Sequence, residues 1–192
     1  MFAKFETYIR NAVAISDDDL ELMRSMALER KLHKKDVLLQ AGEICRYKIF
    51  VCSGLLRTYR TTEDGAEHVI WFSPENWWTT DPENRDYKTP SRYFIDAVED
   101  SEIVMWSKRD FDYLFKQIPT IRAFTENLIT KNLDMSRQRL FTALSSTVEE
   151  RYDEFMQTYP GLIGRLSLQH IASYLGVSRK TLSRIRFAQL KS

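Results

Sequence analysis

The chain has 192 residues, 43% apolar or aromatic and 29% charged, enough for one large domain or two small ones with a real core. Six Gly and five Pro argue against a disordered, collagen-like or low-complexity chain. No run approaches the roughly 18 uncharged apolar residues that a membrane-spanning helix needs, so such a span is excluded.

The first residues, Met1-Phe-Ala-Lys-Phe-Glu, lack a basic segment followed by an apolar one, so no signal peptide is expected. Cys45 and Cys52, seven apart, would face opposite sides of a shared strand, and no disulfide is expected between them. A reducing cytoplasm is the expected compartment. The near balance of 28 basic and 27 acidic residues conceals an asymmetry. The last acid is Glu154; after it come Arg165, Arg179, Lys180, Arg184, Arg186 and Lys191, giving +6 against −5 for residues 1–154. A basic module attached to a larger acidic one points to nucleic acid as the partner of the basic piece.

In chain order, Ser16-Asp-Asp-Asp caps a helical pattern through Leu20, Met23 and Ala27 that fades near His33. From Asp36 to Ser107 the period changes to two. Short β-branched or aromatic runs start at residues 36, 47, 55, 68, 93 and 102, punctuated by Gly42, Gly54, Gly65 and Ser73-Pro. They predict an antiparallel β-roll or jelly roll. Pro74 to Pro90 reads as a long polar, aromatic-rich loop. A short helix is predicted at Asp110–Phe115. A long one follows from Pro119 to about Leu144, spanning roughly 37 Å.

The long helix carries two apolar stripes. Ile121, Phe124, Leu128 and Met135 form one; Ile129, Leu133, Leu140 and Leu144 form the other, roughly 90° or more away. One can cover the β domain, and the other needs a second copy of the helix or the C-terminal module. The dimer seam is assigned to Ile121, Phe124, Leu128 and Met135. Thr147 with Glu150, or Ser146 with Glu149, spells a capping box that restarts the helix, so the hinge falls here.

The informative segment is 166–190. Ser167 caps a helix whose inner face is Leu168, Ile171, Ala172 and Leu175; Gly176 turns the chain, Val177 plugs the turn, and Ser178 caps a second helix. Leu182 and Ile185 point one way, and Arg179, Lys180, Ser183 and Arg184 the other. This is a helix-turn-helix that offers a basic and hydroxyl face to the major groove.

With Gly176-Val-Ser-Arg-Lys-Thr-Leu-Ser-Arg184 behind a β-roll and a long helix, nearly the whole chain resembles the Crp/Fnr family of bacterial transcription regulators. Gly42-Glu43, Gly54-Leu-Leu-Arg57, Glu63-Asp-Gly65 and Glu99-Asp-Ser101 fall where that family's cyclic-nucleotide-binding-like β-roll has its turns. The resemblance implies an α+β chain with a β-roll domain at 1–117, a dimerisation helix at 118–145 and a helix-turn-helix domain at 146–192. It implies a homodimer on a palindromic operator, with Gln169, Ser178, Arg179, Lys180, Thr181, Ser183 and Arg184 as the residues toward double-stranded DNA. RNA polymerase is a further candidate partner. Lys180 stands where many members have Glu, so the operator preference does not transfer, and a β-wing after the recognition helix is not expected.

Cyclic-nucleotide-binding members clamp their ligand with a Gly-Glu-Leu turn and an Arg-Ser pair; here the stretches read Glu75-Asn-Trp77 and Ser91-Arg92. The turn glycine is absent and Arg92 is shifted by one, so cAMP is not expected to bind. Trp77, Trp78, Tyr87 and Arg92 either line a pocket for some other small-molecule effector or fill a vestigial one. No cofactor, iron–sulfur cluster or metal is expected, because two cysteines and the scattered His33, His68 and His170 make no ligand set. No enzymatic motif occurs. The alternative reading is a small-ligand sensor acting through protein contacts.

Overall fold

A computed structural model describes residues 1–81, 83 and 88–189. The elements in order are α1 (Phe2–Ala12), α2 (Asp17–Ser25), β1 (Leu28–Leu32), β2 (Val37–Leu39), β3 (Tyr47–Ser53), β4 (Leu56–Thr61), β5 (Glu67–Ser73), β6 (Trp78–Thr79), β7 (Phe94–Ala97) and β8 (Ser101–Ser107). Then come α3 (Lys108–Gln117), α4 (Pro119–Ser145), α5 (Val148–Thr158), a 3-10 turn at Leu162–Gly164, α6 (Leu168–Leu175) and α7 (Arg179–Gln189). Two four-stranded sheets, ordered β1-β8-β3-β6 and β2-β7-β4-β5, make the antiparallel roll expected of an α+β chain.

The period-two alternation explains the core between the sheets. Ile49 and Val51 of β3, Leu56 of β4, Ile95 and Ala97 of β7 and Ile103 of β8 are buried together. The opposite face of the first sheet turns Phe50, Cys52, Val104 and Trp106 toward α1, α2 and α3, which contribute Phe2, Phe5, Ile9, Leu20, Met23, Phe111 and Leu114. Phe5 is the centre of this second core. Its ring lies 5.2 Å from Phe50, 4.9 Å from Trp106 and 5.8 Å from Trp78. The Trp106 indole N–H donates to the Met23 carbonyl at 2.8 Å, which satisfies its one polar atom inside the apolar cluster.

Four elements depart from expectation. Helix α1 was not foreseen, although Phe2, Phe5 and Ile9 repeat at helical spacing and are buried. The pattern after Ser16 ends at Ser25 rather than near His33, and β1 begins at Leu28. Its Glu29, Arg30 and Lys31 have little strand propensity; the strand exists through its ladder with β8, where Glu29 opposes Val104. The aromatic loop also contains a short strand, β6, paired to β3 through Ile49–Thr79 and Phe50–Trp78.

Gly54, between β3 and β4, has φ +92°, and a Cβ there would lie 2.2 Å from Ser101 Oγ. The neighbouring Leu55 N–H donates to that hydroxyl at 3.1 Å, so the turn can seat against Ser101 only with glycine in it.

The chain divides into two compact units, Met1–Arg60 with Trp71–Ile129, and Thr61–Ile70 with Thr130–Ser192. In the second, α5, α6 and α7 bury Tyr152, Phe155, Ile171, Ala172, Leu175, Leu182 and Ile185. The rings of Phe155, Tyr159 and Tyr174 pack at 5.2–5.7 Å. Among the described residues no helix is long and apolar enough to cross a membrane.

Candidate nucleic-acid interface

The capping box foreseen at the hinge is present. Thr147 Oγ1 accepts from the Glu150 N–H at 3.3 Å, and Glu150 accepts from the Thr147 N–H at 2.8 Å, starting α5. Ser167 starts α6 in the same manner, accepting from the His170 N–H at 3.1 Å. Helix α6 ends at Gly176 in the left-handed region, φ 68°, whose N–H and that of Val177 both reach the Ala172 carbonyl. Ser178 then accepts from the Thr181 N–H at 3.0 Å, and α7 begins.

Burial sorts α7 into two faces. Leu182 and Ile185 are buried against α6, while Arg179, Lys180, Ser183 and Arg184 are exposed and Thr181 lies half-buried beside them. Ser178 and Gln169, near the start of α6, are exposed as well. The first turn of α7 holds no acidic residue, so Arg179 and Lys180 sit uncompensated at the positive end of the helix dipole. That arrangement costs the free helix a few tenths to about 1 kcal/mol per charge and favours any polyanion placed there.

Of the four residues considered for a ligand pocket, Trp77, Trp78 and Arg92 are described, and each has different surroundings. Trp78 lies in the helix-covered core, 5.4 Å from Phe50, 5.5 Å from Trp106 and 5.6 Å from Phe111. Trp77, its neighbour, is half-buried and fixed by its backbone, accepting from Val51 and donating to Pro74. Tyr87 is outside the described residues. Arg92 is exposed and held by Glu83 through Nε at 2.9 Å and Nη2 at 2.5 Å. Glu83 also accepts from the Tyr93 phenol at 2.7 Å. That phenol is the largest cause holding Glu83 below the usual carboxylate value, ahead of Arg92; burial, then the bond to Glu83, pushes Tyr93 up to about 12.

A polar array the sequence did not reveal lies on β4 and β7, on the face away from the core between the sheets. Arg57 and Asp96 are direct cross-strand partners, both buried, joined by two bonds of 2.8 Å. Arg57 lies over the Tyr59 ring at 4.1 Å, and that ring stacks on Phe94 at 5.1 Å. The only sequence signal was the alternation that put Arg57 and Tyr59 opposite Leu56 and Thr58.

Of the stripe assigned to the dimer seam, Ile121 is 2% exposed within the core under α1. Phe124 packs against that core with its ring 6.1 Å from Tyr8, and Leu128 is half-buried. Ile121, Phe124 and Leu128 are thus wholly or partly covered within the chain, and Met135 is exposed. The second stripe is the open one, with Ile129, Leu140 and Leu144 exposed by 60%, 61% and 81%, and Leu133 and Phe141 exposed beside them.

Cys45 and Cys52 are free and buried, and burial pushes the Cys52 thiol up to about 11. Among the described residues no group of His, Cys, Asp or Glu could hold a metal ion.

Residues 29–118 match the family model described as the cyclic nucleotide-binding domain. A Rhizobium leguminosarum bv. viciae protein named a probable transcriptional activator is 21% identical over 182 residues, covering 89% of this chain and 74% of that one. The solved structure of the c-di-GMP responsive global regulator CLP of Xanthomonas campestris is similar with a TM-score of 0.75 at 14% identity, covering 92% of this chain and 93% of that one. A structure assigned to the crp/fnr family from Eubacterium rectale gives 0.71 at 16% identity, covering 92% and 85%. The chain shares the fold of these solved regulators, the crp/fnr-family structure among them, and its residues 29–118 are similar to the cyclic nucleotide-binding domain.

Proposed function

We propose that the chain is a sequence-specific DNA-binding transcription regulator that works as a homodimer on a palindromic operator in the cytoplasm. Residues 1–117 are its effector-type domain, 118–145 its dimerisation helix and 146–192 its DNA-binding domain. The observation that carries the reading is the exposed face of α7, with Arg179, Lys180, Ser183 and Arg184 on a capped helix whose other face is buried on α6. The open stripe Ile129, Leu133, Leu140 and Leu144, about 60° wide along one side of α4, is the seam for a second copy.

Cyclic AMP does not fit this reading. A phosphate brought to Arg92 meets the Glu83 carboxylate already bonded there, and Trp78 is committed to the core. Calorimetry with cAMP and cGMP is expected to register no binding at micromolar concentrations; micromolar affinity for either would overturn this part.

The main test is a mobility shift on DNA upstream of the protein's own gene, with Arg184→Ala beside the wild type. Arg reading a guanine is worth roughly 1–3 kcal/mol per contact, so the variant should lose about one to two powers of ten in specific affinity per half-site. Affinity for unrelated DNA should change far less. Equal losses on both DNAs would show that Arg184 meets phosphate and that the recognition face is misassigned.

A further inference from the structure

Helix α6 ends immediately before the turn that aims α7, and its last carbonyls have no partner within the helix. Two arginines from other helices supply one. Arg151 of α5 donates to the Leu175 carbonyl at 2.9 Å, and Arg139 of α4 donates to the Tyr174 carbonyl at 2.7 Å with its guanidinium 3.9 Å from the centre of the Tyr174 ring. Placing a cation at a helix C-terminus is favourable by itself. Arg139 does more, because the same planar fork also donates to the carbonyls of Val69, at 3.0 Å, and Ile70 in β5. Next to it, Ser173 of α6 donates to the Glu67 carbonyl at 2.5 Å and accepts from the Val69 N–H at 3.0 Å. One guanidinium and one hydroxyl thus tie the long helix, the β5 strand and the first helix of the helix-turn-helix into a single clasp.

We propose that Arg139 is a positioning residue for DNA recognition: it touches no base, and it fixes the direction in which α6 presents α7. This inference rests on the DNA-binding reading. The geometry requires arginine, since one side chain must reach three carbonyls that diverge from a planar fork, which a lysine ammonium or a glutamine amide cannot do. The exposed face of α7 is not covered by the clasp, so its role is to orient the helix and not to block it. Releasing it leaves the cations of α7 able to meet phosphates from any direction while the base-reading geometry is lost.

The test compares wild type, Arg139→Gln, Arg139→Lys and the milder Ser173→Ala in the full chain, with circular dichroism to check the fold. Two readouts are taken: amide hydrogen exchange at Val69, and the ratio of operator to unrelated-DNA affinity. All three variants should speed Val69 exchange. The two Arg139 variants should lower operator affinity tenfold or more while unrelated-DNA affinity stays within about twofold, with lysine failing to rescue. Faster exchange with an unchanged affinity ratio would overturn the positioning role, and unchanged exchange would overturn the clasp. Tighter operator binding would mean that the contact restrains the protein, and would overturn the proposal equally. A wild type with no sequence preference would instead fail the DNA-binding reading, taking the positioning role with it, and the exchange readout would still report the clasp separately.

Discussion

Glu83 shows how one carboxylate can engage a guanidinium and a phenol at once. Its carboxylate accepts from the Tyr93 phenol and from Arg92, and both interactions favour the ionised form. Its pKa therefore lies below the ordinary 4.5, the phenol being the largest cause. For a carboxylate with a depressed folded value, the stabilisation is complete above 4.5 and is lost as pH falls through the folded value. Tyr93→Phe should move the Glu83 midpoint back up toward 4.5 in a carboxyl NMR titration, and an unmoved midpoint would sink the assignment of the phenol as its main partner. None of this was legible in the sequence. Arg92 could be marked as displaced from a clamping position, but its actual partner, Glu83, lies nine residues away and no periodicity links the two.

At the scale of elements, periodicity read well where one face alone is buried. The strands of the roll, α4 and the helix pair α6–α7 fall close to their expected bounds, because alternation or an i, i+3, i+4 spacing reports a single buried side. It read poorly for β1, whose exposed Glu29, Arg30 and Lys31 carry no such signal and whose existence depends on β8. Helix α4 shows the intermediate case. Both stripes were visible, but which one the chain itself consumes depends on α1, and α1 was not foreseen. With Ile121 buried, the stripe left open lies on the other side, and the substitution that tests the proposed dimer there is Leu140→Glu. A carboxylate there would face a second copy of itself across a two-fold axis, adding desolvation to like-charge repulsion. The variant should keep the helical content of the wild type and sediment as a monomer. A variant that remains dimeric would place the interface elsewhere.

Over the whole molecule, the fold and the helix pair α6–α7 were legible because each rests on local chemistry: turn glycines, hydroxyl caps, a basic face. The Arg57–Asp96 pair and the Arg139 clasp were not, because both join residues far apart in sequence by contacts that no periodicity encodes. The acid-free first turn of α7 carries a consequence of its own, in the response to ionic strength. Arg179 and Lys180 repel one another and the helix end in the free protein, and dissolved anions relieve that repulsion. In the proposed complex with DNA the same two side chains would displace counterions, and added salt would drive the equilibrium back toward the free state. Salt should therefore act with opposite signs on one helix, raising the melting temperature of the DNA-free protein while weakening its hold on DNA. Replacing Lys180 with Gln should shrink both slopes together, which melting curves and binding isotherms taken over one salt series would measure.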